Sequence, residues 1–167
     1  MRFLFVDRIV RLEPGRDALV RKNVSNSEDF FSDHFSGRPV MPGCLILETG
    51  DQVARLLLAS AEDFGRLPVL VEVTNGKFQH FVQPGDTLEV AASVARQTPA
   101  SAEVRIQASV EGRRVAAATL AYRFSEAASD PAAARACRRM REFYAMITSR
   151  PPDGARTADS AGEAGHA

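Results

Sequence analysis

The chain has few cysteines, no excess of charge of either sign and no long apolar run. Among its 167 residues are only two cysteines, Cys44 and Cys137, whose separation suits neither a disulfide framework nor a metal site. The 21 basic residues balance the 21 acidic ones, which argues against a general nucleic-acid binder. No apolar segment approaches the roughly 20 residues that a membrane-spanning helix needs. We therefore expect a cytoplasmic protein without a membrane span.

Short alternating segments separated by glycine and proline predict a sheet of mostly antiparallel strands. The predicted strands cover residues 3–12, 18–24, 67–75, 77–82, 87–97, 102–111 and 115–124. Between them, residues 43–61 form one long helix that is apolar around most of its circumference, which is typical of a buried helix. Asp51 and Arg55 are four residues apart and are expected to pair on its one exposed stripe. The pattern predicts an α+β fold in which the sheet wraps around this helix.

A second helix is predicted over residues 131–147. Asp130 is suited to the N-cap and Pro131 to the first helical position. Its apolar stripe consists of Cys137, Met140, Tyr144 and Ile147. We expect three parts: a compact domain over residues 1–126, a helical extension over 127–148, and a disordered tail over 149–167, which lacks apolar anchors.

The loop over residues 25–42 is long enough to suggest a function, and it contains His34. A single loop histidine is more often structural or solvated. Here Phe30, Phe31 and Phe35 supply aromatic surface, so we expect His34 to be partly desolvated. Desolvation lowers the pKa of a histidine and keeps the ring neutral, as a general base must be.

Glu48 is the one carboxylate in the early turns of the predicted buried helix. A buried carboxylate becomes neutral or finds a partner, and a neutral one can act as a general acid. The alternative is a glutamate that reaches solvent or pairs with an arginine. Gln52 follows one turn later and is placed to orient the Glu48 carboxyl group. Gly43 begins the helix, where free N–H groups favour a ligand oxygen, although Pro-Gly pairs also occur in ordinary turns.

The run from His34 through Gly43 to Glu48, followed by Gln52, resembles the bacterial 3-hydroxyacyl-[acyl-carrier-protein] dehydratases, which are hotdog-fold enzymes of fatty acid synthesis. Residues 77–86 resemble the strand and turn that follow the central helix in this family. The resemblance covers roughly residues 3–124. It implies an antiparallel sheet around a central helix, with the additional C-terminal helix lying outside the family pattern.

The resemblance implies a homodimer, or a trimer of dimers, with each active site shared between two subunits. His34 is then the base that removes a proton from C2, and Glu48 is the acid that protonates the C3 hydroxyl group. The Gly43 N–H binds the thioester carbonyl and Gln52 orients Glu48. No metal or cofactor is implied. The acyl tunnel is expected at Phe35, Met41, Cys44, Leu47 and Phe78, and docking of the acyl carrier protein at Arg38, Lys77, Arg138 and Arg139.

The chain departs from the family pattern at Ser36, where proline is usual, and at Asp51, which is unusual. Glu48 resembles the general dehydratase branch, whereas residues 40–44 resemble the dehydratase/isomerase branch. Two other functions stay open. A hotdog thioesterase would use Glu48 to activate water without needing His34, and a non-catalytic partner would only bind acyl carriers. A lipid-responsive transcription factor is disfavoured because no helix-turn-helix precedes the domain.

Overall fold

A computed structural model describes residues 4–32, 34 and 37–149. Six strands form one sheet in the order β1-β2-β4-β5-β6-β3, and every neighbouring pair is antiparallel. The elements in chain order are β1 (Arg8–Glu13), β2 (Asp17–Asn23), a 3-10 turn (Asp29–Phe31), α1 (Gly43–Ala61), β3 (Arg66–Phe78), β4 (Thr87–Gln97), β5 (Ser101–Val110), β6 (Arg113–Glu126) and α2 (Pro131–Thr148).

The sheet wraps around α1, which contacts five of the six strands, β2 to β6. This is the predicted hotdog arrangement. Buried side chains of α1, including Val53, Leu57 and Leu58, pack on inward residues of the strands, such as Val90 and Leu120. The alternation of buried and exposed residues along β2, β4 and β5 explains why these strands could be predicted from sequence.

Gly50, in the middle of α1, lets the helix approach the sheet closely. A Cβ atom at this position would overlap the Cδ1 atom of Ile106 on β5. Glycine within a helix costs about 1 kcal/mol relative to alanine. The close contact with Ile106 explains why position 50 is a glycine. It also sets the distance between the following helical turns and the sheet.

The predicted helix at the C-terminus is present as α2 and packs on the hotdog domain. The side chain of Asp130 accepts a hydrogen bond from the Ala132 N–H at 2.8 Å and caps the helix. Backbone N–H groups of Ala132 and Ala133 lower the pKa of this carboxyl group. Cys137 is buried, and burial raises the pKa of its thiol. The Tyr144 ring lies 5.5 Å from the Phe64 ring.

Two strand predictions are wrong in detail. Residues 67–75 and 77–82 were predicted as two strands, but β3 runs through the pair Asn75-Gly76 to Phe78. Asn75 has a φ of 53°, and the pairing register with β6 shifts between Thr74 and Lys77. A bulge therefore absorbs the residues that the sequence suggested as a turn. Residues 3–12 were predicted as the first strand, but within the described residues it begins at Arg8, and the Phe5 N–H before it donates to the Gln52 side chain on α1.

No helix within the described residues is long and apolar enough to cross a membrane. Of the predicted disordered tail, residues 150–167 lie outside the described residues.

Candidate active site

His34 lies half-buried in the loop before α1, as predicted. Its Nδ1 atom is 2.9 Å from the carbonyl oxygen of Val40, and the Val40 N–H donates back to the His34 carbonyl at 3.3 Å. A carbonyl oxygen can only accept a hydrogen bond, so Nδ1 must carry the proton. In the neutral ring the lone pair is then on Nε2, and this nitrogen is the one that can accept a proton.

The start of α1 is fixed to the sheet and shaped by an aromatic ring. The Met41 N–H donates to the Val82 carbonyl at 2.8 Å, just before Pro42, which occupies the N-cap position of the helix. A Cβ atom on Gly43 would lie 2.9 Å from the Phe78 ring, so only glycine fits here without movement of the ring. The first N–H groups of a helix have no acceptor within it, which leaves those of Gly43 and Cys44 suited to a ligand oxygen.

Glu48 is held by a short chain of hydrogen bonds. Gln52 Nε2 donates to Glu48 Oε1 at 2.8 Å, and Gln52 Oε1 accepts from the Phe5 N–H at 2.9 Å. The predicted contact between Gln52 and Glu48 is therefore confirmed. The predicted burial of Glu48 is wrong for the single protomer, in which Glu48 is exposed. The reason is geometric, because this residue faces the N-terminal segment and α2 rather than the sheet.

The buried carboxylate of α1 is Asp51, which sequence reasoning placed on the exposed stripe. Asp51 pairs with Arg55 as predicted, at 2.7 Å, but it is only 4 % exposed. The hydroxyl group of the buried Tyr122 donates to Asp51 Oδ1 at 2.8 Å. Burial, and then the neighbouring Asp51 charge, raise the pKa of Tyr122. An inward-facing tyrosine on β6 needs a hydrogen-bond partner, and this requirement was the signal available in the sequence.

Arg55 pairs with the buried Asp51 and also lines the cavity beside Glu48. Burial alone would lower the pKa of its guanidinium group, but the hydrogen bond and charge of Asp51, with a smaller contribution from Glu48, raise it. Arg55 lines a cavity of about 240 Å³ together with Glu48, Gln52 and Leu56. Residues of α2, among them Met140, form the opposite wall.

The residues predicted to line the acyl tunnel differ in their exposure. Of the expected tunnel residues, Met41 is buried and Leu47 half-buried, whereas Cys44 and Phe78 are exposed. Phe35 lies outside the described residues, so its predicted role stays a prediction.

The four residues expected to dock the carrier do not form one patch. Arg38 lies 5.0 Å above the Phe81 ring, close to Phe78, and Lys77 lines a different cavity on the sheet. Arg138 is exposed on α2, and Arg139 lines the cavity beside Glu48. Carrier docking at these residues stays a prediction. Within the described part of the chain, no group of three or more histidine, cysteine or acidic side chains is placed to hold a metal ion.

Comparison with known proteins places this geometry in a family. Residues 1–119 match the model of the FabA-like domain. A FabZ 3-hydroxyacyl-[acyl-carrier-protein] dehydratase from Geobacillus thermodenitrificans is 41% identical over 121 residues, which cover 72% of this chain and 83% of the relative. The enzyme of the same name from Bacillus velezensis is 39% identical over 125 residues, covering 74% and 89%.

Solved structures support the fold. A Streptococcus mutans protein bound to acetyl CoA superposes with a TM-score of 0.62 at 20% identity, covering 75% of this chain and 94% of that one. The dehydratase heterocomplex ApeI:P from Xenorhabdus doucetiae gives a TM-score of 0.53 at 17% identity, covering 69% and 96%. With residues 1–119 matched and relatives near 40% identity, the chain belongs to the FabA-like family of 3-hydroxyacyl-[acyl-carrier-protein] dehydratases.

Proposed function

We propose that this protein is a hydro-lyase that converts 3-hydroxyacyl-[acyl-carrier-protein] to trans-2-enoyl-[acyl-carrier-protein] and water, in fatty acid or related acyl-chain synthesis. The observation that carries the proposal is the bond between His34 Nδ1 and the Val40 carbonyl, which makes Nε2 the basic nitrogen. The names of the curated relatives, which cover about three quarters of the chain, support the same reaction.

The proposed step moves two protons and breaks one C–O bond. His34 Nε2 takes a proton from C2 of the substrate, which the thioester acidifies. The electron pair of that C–H bond forms the C2–C3 double bond, and the C3 hydroxyl group leaves as water with a proton from Glu48. During the step, the Gly43 N–H stabilises the charge that develops on the thioester oxygen. Transfer of the proton from His34 back to Glu48 restores the enzyme.

The reaction needs a protonated Glu48, and a second copy of the chain supplies the required environment. Glu48 is exposed in the protomer. The edge strand β3 pairs only with β6 among the described strands, and it exposes Val69, Val71 and Val73. Exposed apolar edge strands are sites of pairing with another chain. A homodimer that covers this region would shield Glu48 from solvent and bring it to His34 of the partner.

The test is turnover of 3-hydroxyacyl carrier substrates by the variant His34→Ala, followed by ultraviolet absorbance of the enoyl thioester. We expect the turnover number to fall by roughly 100-fold or more, because the base is lost. His80→Ala is the matched control, since His80 is exposed and has no role in the proposed step.

Two outcomes would contradict the proposal. If the wild-type protein releases free thiol from acyl carriers, and His34→Ala retains this activity, the protein is a thioesterase that uses Glu48 alone. If the wild-type protein binds acyl carriers without converting them, it is a non-catalytic partner.

A further inference from the structure

Helix α2 lies outside the residues that match the family, yet it forms part of the surroundings of Glu48. The family match ends at residue 119, and α2 covers Pro131–Thr148. The cavity beside Glu48 is lined on one side by α1 and on the other by four residues of α2. The family match therefore cannot explain what this wall does.

The lining of the cavity is mostly apolar. Its apolar residues are Leu4, Leu56, Leu67, Ala136, Met140 and Phe143. The charged members lie toward solvent: Arg139 is exposed, and Arg55 is half-exposed and held by Asp51. An apolar space with a single carboxylate at one end is suited to a hydrocarbon chain that has one reacting polar group at its start.

The size of the cavity is consistent with part of a substrate. Its volume is about 240 Å³, which is below the range of roughly 300–1,000 Å³ for pockets that hold a whole drug-sized ligand. In the proposed step Glu48 acts at C3, so the acyl carbons beyond C3 begin beside its carboxyl group. These carbons are the part of the substrate that can enter the cavity, while the thioester and the acyl carrier protein attached to it stay outside.

Helix α2 is anchored firmly enough to act as a fixed wall. Phe143 is buried at 7 % exposure, and Cys137 and Ile147 are buried on either side of it along the helix. Arg141 donates to the backbone carbonyl of Asp63, beyond the end of α1. A wall held at several points cannot move aside easily, so the volume that it leaves sets a limit on what fits.

We propose that α2 forms the end wall of the acyl subsite, and that Ala136, Met140 and Phe143 determine which acyl chain lengths the protein accepts. The inference rests on the proposed dehydratase function, because it uses Glu48 as the group that acts at C3. Short chains end before the wall, whereas longer chains contact it. The side chains of α2 therefore act on long substrates and leave short ones unaffected.

The experiment compares Ala136→Phe with Ala145→Phe, which makes the same change at an exposed position of α2 outside the cavity. The readout is kcat/KM for 3-hydroxybutyryl and 3-hydroxydecanoyl carrier substrates. We expect Ala136→Phe to lower the value for the decanoyl substrate by roughly tenfold, because each apolar CH₂ group kept from burial weakens binding several-fold. The value for the butyryl substrate should stay within about twofold of wild type, and Ala145→Phe should change neither.

A second variant, Met140→Ala, enlarges the cavity and keeps the test decisive if Ala136→Phe does not fold. It should raise the ratio of decanoyl to butyryl kcat/KM. If every variant that folds leaves this ratio unchanged while the wild-type protein dehydrates the substrates, α2 is not the end wall and the inference is wrong. Absence of dehydration by the wild-type protein at every chain length would instead overturn the proposed function.

Discussion

Two carboxylates lie three residues apart on α1 and have opposite surroundings. Glu48 is exposed and accepts one hydrogen bond from the neutral amide of Gln52. Asp51 is buried, and it accepts from Tyr122 at 2.8 Å and pairs with Arg55 at 2.7 Å. One carboxylate is thus fully partnered inside the protomer, while the other is oriented but uncovered.

The difference separates a carboxylate held inside the protomer from one that is open to a substrate or a second subunit. Asp51 has a cation and a hydroxyl donor, which together hold the side chain in place. Glu48 has a donor that fixes its orientation, and its side chain is open to solvent and to a second subunit. Of the two, Glu48 is the group that we propose as the general acid.

The largest expected effect is that of Glu48→Gln on turnover. We expect the turnover number for dehydration to fall by roughly 100-fold or more, because glutamine cannot give a proton to the leaving hydroxyl group. The midpoint of thermal unfolding should stay unchanged, since glutamine has nearly the same shape as glutamate and Gln52 can still donate to the new amide oxygen. Enzyme kinetics and calorimetry check the two parts, and a large loss of stability would place Glu48 with Asp51 as a structural group.

Mixing Glu48→Gln with His34→Ala tests whether the site is shared between subunits. Half of the dimers formed by exchange are mixed, and each mixed dimer has one site with both native groups. About a quarter of wild-type activity should therefore return in a symmetric dimer. No recovery after complete exchange, confirmed by native mass spectrometry, would mean that both groups act within one protomer.

Tyr122→Phe should have the opposite profile to Glu48→Gln. It removes the hydroxyl donor of a buried carboxylate, which costs about 1–3 kcal/mol of unfolding free energy, while the proposed catalytic groups keep their contacts. Urea denaturation measures the loss. Tyr144→Phe is the matched control because this tyrosine lies half-buried at the surface of α2. Loss of turnover at full stability would mean that Tyr122, Asp51 and Arg55 take part in the reaction.

The sequence was enough to predict most of the fold and the contact between Gln52 and Glu48. Helix α1 was predicted at its observed bounds, Gly43–Ala61, because a long apolar segment after Pro-Gly has few alternatives. The pair Asn75-Gly76 misled the prediction, since the same residues that form a tight turn also form a bulge in a long strand.

The burial of Glu48 and Asp51 could not be predicted because it depends on helix rotation. Three residues along a helix correspond to about 300° of rotation, so side chains at this spacing point about 60° apart around the helix axis. A small rotation of the helix therefore decides which of the two carboxylates is buried. The close packing of Gly50 on Ile106 turns Asp51 toward the sheet, where Tyr122 meets it. Ile106 and Tyr122 lie on strands more than fifty residues further along the chain, so a local sequence pattern could not reveal these contacts.

The smallest expected effect is that of Gln52→Ala, which removes the orientation of Glu48 and leaves its carboxyl group intact. We expect the turnover number to fall by roughly tenfold with little change in KM, because a misplaced acid weakens the transition state more than substrate binding. Gln83→Ala is the control, since Gln83 is exposed. Because Gln52 Oε1 also accepts from the Phe5 N–H, stability should be measured alongside. A fall in stability without a change in turnover would show that Gln52 serves the N-terminal segment and that the second subunit alone positions Glu48.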